Sequence, residues 1–326
     1  MNLTLPPLGF GAAGLGNLFD AVTSEEARAT VAGALSAGIR YFDTAPFYGF
    51  GLSERRLGDM LRERDDWLLS TKVGRLLRPS SRGGNVRHGF ASPMPFEPVY
   101  DYSYDGVMRS YEHSLQRLGL GRIDMLLIHD IGEATHGAEA SRHWQDLFDG
   151  GYRALDTLRA AGDVQAIGLG VNETAACLTA MDHGDYDLFL LAGRYSLLEQ
   201  QSLAEFLPKV KAAGIGVVAG GVFHSGILAT GTRGTVLPRH DYGPASADIV
   251  ARVARIEAVC DPHGVDLAAA ALQFPGRHPA IISTLVGIRS VSELNDALRW
   301  YAAVIPDAFW TDLKAQGLMH ADAPVA

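Results

Sequence analysis

The chain has 326 residues, 47% of them apolar and 20% charged, with a formal net charge of −9. An acidic surface of that kind argues against nucleic acid or an anionic membrane as a partner, and no apolar run is long enough to span a bilayer. Residues 1–22 carry neither the basic start nor the long apolar core of an export signal. The two cysteines, Cys177 and Cys260, stand far apart and in no metal-ligand spacing, so two reduced thiols in a cytoplasmic protein are expected.

The opening "PPLGFGAAGLGN" (6–17) contains Gly9-Phe10-Gly11-Ala12-Ala13-Gly14, which matches the G-x-G-x-x-G pattern of dinucleotide-binding βαβ units. Its context is wrong for such a unit. Only eight residues precede Gly9, no helix opens at Gly14, and no acid stands between Glu26 and Asp43 to take a ribose hydroxyl. The glycines fit a tight loop above a first strand near Leu8–Gly11 instead. Thr23-Ser24-Glu25-Glu26 then reads as a capping box opening a helix that runs to Gly38. "IRYFDTA" (39–45) is a short buried strand, Ser53 caps a helix in "ERRLGDMLRER", and "WLLSTKV" (67–73) is a third strand. A Pro/Gly/Arg/Tyr-rich stretch without period fills 74–103, before a helix over 104–118 and the strand "IDMLLIHD" (123–130).

The alternation continues. Helices at "YRALDTLRAAG", "TAACLTAMDHG" and "SLAEFLPKVKAAG", the last with a Ser202-x-x-Glu205 box, alternate with strands over 166–172, 186–193 and 215–222. A second long loop, 223–245, precedes a helix over 246–260. A strand over 280–287, a helix opened by Ser290-x-x-Glu293 and a last helix near 306–316 complete the chain. Eight near-continuous apolar strands separated by helices predict a single-domain α/β protein, a (β/α)8 TIM barrel with long loops after strands 3 and 7. An open doubly wound sheet is the other arrangement this pattern allows.

Reactive groups of such a barrel gather at the C-terminal ends of its strands. Those ends hold Asp43, Lys72, His129 and Asn172, with Tyr48 in the loop that follows Asp43. A lysine within an apolar strand is seldom buried without a partner. A cation beside a phenol lowers its pKa from about 10, a carboxylate orients the lysine, and a histidine N–H holds a substrate oxygen. Beside a hydride donor or acceptor this set interconverts a carbonyl and an alcohol, with no metal needed. Singly, Asp43 could be a turn cap, Tyr48 a half-buried loop aromatic and His129 a satisfied core histidine. Their coincidence at one rim favours chemistry.

"FDTAPFYGFGLSERRLG", "STKVG", "LQRLGLGRIDMLLIHD", "AIGLGVN" and "LVGIRSVSEL" together resemble the aldo-keto reductase family, over most of the chain. The resemblance implies a catalytic tetrad of Asp43, Tyr48, Lys72 and His129, and an NAD(P) cofactor lying extended across the barrel mouth. Asn172 falls where the family holds the nicotinamide amide, with Glu173 beside it. Two positions depart from the family pattern: Ala192 stands where many members have glutamine, and Gly220 where many stack a tyrosine on the nicotinamide. Phe223 or Tyr195 would compensate for the latter. "GGVFHSGILATG" (220–231), with Ser225, Gly226 and Leu228, and the turn at Gly287 and Arg289 fit the phosphate-binding loops. Glu293 has a capping role first; a carboxylate there would repel a 2′-phosphate, which favours NAD over NADP.

Within the family the chain resembles the branch of D-threo-aldose 1-dehydrogenases (L-fucose or L-galactose type) and pyridoxal 4-dehydrogenases. This implies oxidation of a cyclic hemiacetal to its lactone, an aldose at C1 in first place and pyridoxal in second. A general NADPH aldehyde reductase is the further alternative; a redox-sensing subunit without activity has no use for the intact tetrad. Phe47, His88, Phe90, Tyr102, Trp144 and His224 are the candidate substrate contacts. The expected partner is a small molecule, and a homo-oligomer is left open.

Overall fold

Eight parallel strands close into a barrel. They are β1 (Leu8–Gly11), β2 (Tyr41–Asp43), β3 (Leu68–Val73), β4 (Met125–His129), β5 (Ala166–Val171), β6 (Leu188–Ala192), β7 (Gly216–Gly220) and β8 (Ile281–Gly287). Each pairs with its sequence neighbours, and β1 pairs with β8 through Leu8–Thr284 and Gly11–Gly287 to shut the ring. The computed structural model describes residues 3–81, 83–235 and 237–325, so Arg82 and Val236 of the two long loops lie outside the described residues.

Alternation along the strands sorts the side chains into two layers. Tyr41, Met125, Leu127, Leu188 and Val218 fill the barrel interior, whereas Phe42, Leu69, Leu126, Ile167 and Phe189 pack outward against the helices. Asp43 shares the parity of Tyr41, and His129 that of Leu127, so each projects inward above the apolar plug. Gly170 of β5 lets Lys72 cross the barrel: a Cβ there would stand 2.9 Å from Lys72 Cε.

Helices around the barrel include α1 (Ser24–Ser36), α2 (Leu52–Leu61), α3 (Tyr104–Leu118), α4 (Tyr152–Ala161), α5 (Thr174–Met181), α6 (Phe206–Ala213), α7 (Ala247–His263), α8 (Leu267–Gln273), α9 (Val291–Ala302) and α10 (Asp307–Ala315). The Thr23 capping box forms with both of its reciprocal bonds. Two other expected caps do not. Gly51, at φ 94°, precedes α2, because the Ser53 hydroxyl donates to the Ala12 carbonyl at 2.7 Å. Ser202 donates to the Arg194 carbonyl, so α6 begins only at Phe206. The stretch after β3 is ordered where no period was legible, with Arg75–Pro79 pairing antiparallel to Phe96–Tyr100.

After β1 the glycine-rich loop forms a tight turn over Ala12–Gly16 rather than a long helix. A Cβ on Gly16 would lie 2.6 Å from the carbonyl carbon of Tyr48 and 2.8 Å from the amide of Gly49. Two backbones are bolted together there, and the bolt sets the position of Tyr48. Gly16→Ala is therefore expected to lower kcat by roughly 10- to 100-fold through displacement of Tyr48, with about 1–3 kcal/mol lost in urea unfolding. Gly121→Ala, which has open space at its Cβ, is the control that should leave both readouts unchanged.

Candidate active site

Lys72 and Asp43 form a buried ion pair, each side chain 2% exposed. Lys72 Nζ donates to Asp43 Oδ1 at 2.9 Å, to Asp43 Oδ2 at 2.7 Å and to the Thr44 carbonyl at 2.9 Å. All three ammonium protons are thus placed. Ser70 donates to Asp43 Oδ1 at 2.7 Å, and the Tyr41 hydroxyl lies 3.1 Å from Ser70 Oγ. With the Ser70 proton committed to Asp43, Tyr41 is the donor in that second contact.

Tyr48 lies above this pair, its ring centroid 5.0 Å from Lys72 Nζ. The imidazole of His129 meets the Tyr48 ring edge-on, with centroids 5.8 Å apart. Burial, followed by the nearby Asp43 carboxylate, holds the Tyr48 phenol well above its usual pKa. The Lys72 ammonium, expected from the sequence to lower the phenol pKa, is paired with Asp43, and burial sets the direction of the shift. Burial, with help from the Arg75 and Lys72 charges, pushes His129 well below its usual pKa, so the imidazole is neutral. Its backbone is held by the Tyr102 hydroxyl, which donates to the His129 carbonyl at 2.7 Å. Tyr102, a candidate substrate contact, is a support behind the site.

Phe47 and Phe90 wall the space beside Tyr48, their rings 5.3 Å apart and perpendicular. His88 meets Phe47 at 5.9 Å and lies 3.5 Å from Glu97. Trp144 stacks on Phe148, which itself stacks on His183. Two charged residues that the sequence reading passed over complete this side. The Arg75 guanidinium carbon lies 4.1 Å from the Phe47 ring centroid, and Arg75 donates to Asp130 Oδ2 at 2.5 Å.

A small cleft opens on the other side of the mouth, lined by Asn172, Gly221, Ser225, Asp241 and Tyr242 among others. Tyr242, also unanticipated, reaches the Asn172 side chain from the long loop after β7, and its amide donates to Ser225 Oγ at 2.8 Å. Gly220 ends β7, and Gly226, at φ 110°, has open space where a Cβ would stand. Leu228 is buried beneath this loop, and Phe223 packs edge-on against Trp300. Tyr195 is enclosed in the core against Phe274 and His278, so its ring face is not open to a nicotinamide. Glu173 turns to the loop after β4, accepting the Ala134 amide at 3.1 Å.

His224, His240 and Asp241 bring possible ligand atoms within 4.8 Å of one another. Ser196 Oγ accepts from the Leu198 and Glu199 amides, so its own proton goes to His224 Nε2, 2.6 Å away. That leaves the His224 proton on Nδ1, facing Asp241 rather than free to ligate. His224 is thereby part of the loop's own packing, stacked on His240.

At the end of β8, Gly287 lies in open space before α9. Ser290 caps α9 by accepting the Glu293 amide, and the Glu293 carboxylate accepts from the Arg289 amide and from Arg289 Nε. Arg289 also donates to Asp20 at 2.6 Å. The first-turn amides of α9 make a ready anion-binding corner. With the Asn172 amide and the open glycines, this donor set fits a dinucleotide.

The aldo/keto reductase family profile matches residues 7–316. The chain belongs to the aldo-keto reductase family. A pyridoxal 4-dehydrogenase of Microbacterium luteolum is 46% identical over 97% of this chain and 95% of its own. A D-threo-aldose 1-dehydrogenase of a Pseudomonas species is 40% identical over the same shares. The holo form of an aldo-keto reductase from Bacillus halodurans superposes with a TM-score of 0.72 at 22% identity, covering 99% of this chain and 95% of the other. That last likeness speaks for the barrel. As an aldo-keto reductase the chain is an NAD(P)-dependent oxidoreductase of small molecules, and among the described residues no helix is long and apolar enough to cross a membrane.

Removing one partner of the buried pair strands the other charge. Asp43→Asn should therefore lose about 3–5 kcal/mol in urea unfolding, and Asp43→Asn with Lys72→Met should lose less than the sum of the two singles. Additive losses would show that the two charges do not stabilise one another.

Proposed function

We propose that this enzyme oxidises the ring C–OH carbon of a cyclic hemiacetal, giving the lactone, with Asp43, Tyr48, Lys72 and His129 as its catalytic set. The observation that carries this reading is a phenol beside a saturated Lys72–Asp43 pair and a neutral imidazole. The neutral His129 N–H donates to the substrate oxygen and fixes it against Tyr48. Tyr48 takes the hydroxyl proton as the carbonyl forms. Lys72, locked by Asp43, supplies a fixed positive charge beneath the phenol and does not itself exchange protons. The bound nicotinamide supplies the hydride acceptor. Asn172, the loop from Gly220 to Leu228, Gly287 and the first turn of α9 would hold the dinucleotide.

An aldose is the first substrate reading, in keeping with the D-threo-aldose 1-dehydrogenase relative. Pyridoxal is the second, and one observation favours it: Phe47, Phe90 and Tyr48 make aromatic walls suited to a flat ring, with centroids 5.3 and 6.3 Å from Phe90. NAD is the favoured cofactor because Arg289 is already bound by two carboxylates, Glu293 and Asp20. The cation is neutralised and a surplus negative charge remains where a 2′-phosphate would bring more. Cys177 and Cys260, both buried and unpaired, suit a reducing cytoplasm.

The test is absorbance at 340 nm with NAD or NADP and L-fucose, L-galactose, D-arabinose or pyridoxal. Growth with a sugar or pyridoxal is expected. Reduction of simple aldehydes by NADPH, with no hemiacetal oxidised, would replace this reading with that of an aldehyde reductase. Tyr48→Phe should lower kcat by roughly 100- to 10,000-fold while cofactor binding, followed by fluorescence quenching, is retained. The raised phenol pKa fixes the sign of the pH dependence: its protonated form dominates at neutrality, so oxidation speeds up and reduction slows as pH rises. The lowered pKa of His129 means no further limb should appear near about 6.5 in kcat.

Glu293→Gln should raise kcat/KM with NADP relative to NAD by roughly 5-fold or more, the size of one surface charge interaction at about 1 kcal/mol. An unchanged ratio would remove Glu293 from cofactor choice.

A further inference from the structure

Arg75 and Asp130 form a second ion pair at the mouth, with side chains 4% and 21% exposed. Each lies just past a strand that carries a proposed catalytic residue: Arg75 stands two residues after the end of β3, which holds Lys72, and Asp130 directly follows His129 at the end of β4. Strand alternation would turn residue 130 away from the barrel axis. The backbone at Asp130 instead adopts φ 45°, in the left-handed region, and its carboxylate returns to the side of the imidazole. Asp130 Oδ2 lies 3.3 Å from His129 Nε2 and accepts from Arg75 at 2.5 Å.

The pair's hydrogen-bonding capacity is not filled by the protein. Both contacts of the Asp130 carboxylate fall on Oδ2, and Oδ1 has no protein partner among the described residues. Arg75 Nε, buried, has no acceptor either. The guanidinium lies over the rings of Phe47 and Tyr100, at 4.1 and 5.4 Å from their centroids, and Phe47 is itself edge-on to His129 at 6.1 Å. A buried ion pair of this kind contributes little net stability by itself. Rigid, half-satisfied and beside the imidazole, it has the form of a recognition element.

We propose that Arg75 and Asp130 are the specificity-determining pair that binds a hydroxyl neighbouring the carbon to be oxidised. A hydroxyl both donates and accepts. Its proton goes to Asp130 and its oxygen accepts from Arg75, while the reacting oxygen sits at His129 and Tyr48. This rests on the hemiacetal reading above and adds to it the demand for a second oxygen close by. In an aldose that oxygen is the hydroxyl at C2; in pyridoxal it is the ring hydroxyl at C3.

The experiment compares kcat/KM for D-arabinose with that for 2-deoxy-D-ribose, which lacks only the C2 hydroxyl, and for pyridoxal with that for 3-deoxypyridoxal. Wild type is expected to prefer the hydroxylated member of the pair it oxidises by roughly 100-fold or more, since a site built around a hydroxyl strands its own polar groups when that hydroxyl is missing. Arg75→Gln and Asp130→Asn should each reduce that preference by roughly 10-fold or more, acting on the hydroxylated member while leaving the deoxy member within about 3-fold. Asparagine tolerates the left-handed backbone at 130, so D130N keeps the turn. Equal wild-type rates on both members, or variants that slow both members equally, would overturn the recognition role; in the second case the pair would only position His129. If wild type oxidises only L-fucose or L-galactose, the same comparison is made with the 2-deoxy form of that sugar; if it oxidises none of the three sugars nor pyridoxal, the hemiacetal reading itself fails, and that result is visible before any variant is made.

Discussion

The Lys72–Asp43 pair is the constraint on which the rest of the mouth depends. Two charges are taken out of water inside the barrel, a cost that their attraction offsets only where every remaining proton and lone pair is also satisfied. Much of the surrounding sequence serves that condition. Thr44 offers a carbonyl, Ser70 a hydroxyl proton, and Tyr41 keeps Ser70 turned toward Asp43. Gly170 gives up its side chain so that the lysine can reach across. Burial above the pair leaves the phenol protonated and the imidazole uncharged, with the Asp43 charge adding to the first effect and the Arg75 and Lys72 charges to the second. A proton donor and a hydrogen-bond donor are thus both ready in a dry site.

The same logic recurs one layer higher. A cation for each pair comes from β3 and the segment just after it, Lys72 and then Arg75, while the acids come from the two neighbouring strands, Asp43 on β2 and Asp130 after β4. The rim is therefore polar but balanced in charge, which suits a neutral polyhydroxylated or zwitterionic molecule better than an anion. On the cofactor side the balance tips the other way, with two acids around Arg289. One mouth thus carries two electrostatic environments, separated by the Tyr48–His129 edge-on contact.

The barrel and the inward positions of Asp43, Lys72 and His129 were legible because both follow from period. Apolar strands alternating with helices fix the architecture, and parity along β2, β3 and β4 turns Asp43, Lys72 and His129 inward. What escaped the sequence is what tertiary contacts redirect. Ser53 and Ser202 have the spacing of helix caps, yet each hydroxyl finds a carbonyl from another part of the chain. Tyr195 is enclosed in the core against Phe274 and His278, and Trp144, half-buried, stacks on Phe148, contacts that a one-dimensional pattern does not encode. Asp130 was hidden for a sharper reason: alternation assigns it outward, and only a left-handed residue reverses that. Tyr242 is likewise in a left-handed run with Asp241, far along the chain from the Asn172 it reaches. Its only signal was membership of a long loop after a strand end.

Tyr48 poses a different problem from its three companions. They stand at strand ends, where the hydrogen-bonded sheet holds them; it stands on a loop. A loop residue reaches catalytic precision only if its backbone is fixed from outside, and side-chain packing tolerates rotamer changes that backbone contact does not. The glycines after β1 supply that contact. Gly16 lies against the Tyr48 carbonyl, and Gly49, at φ 64°, closes back on Gly16. Ser53, in the first turn of α2 that this loop enters, adds a hydroxyl bridge to Ala12. A stretch that imitates a nucleotide-binding fingerprint is thus selected by a different demand, the close approach of two loops that places a phenol over a buried ion pair.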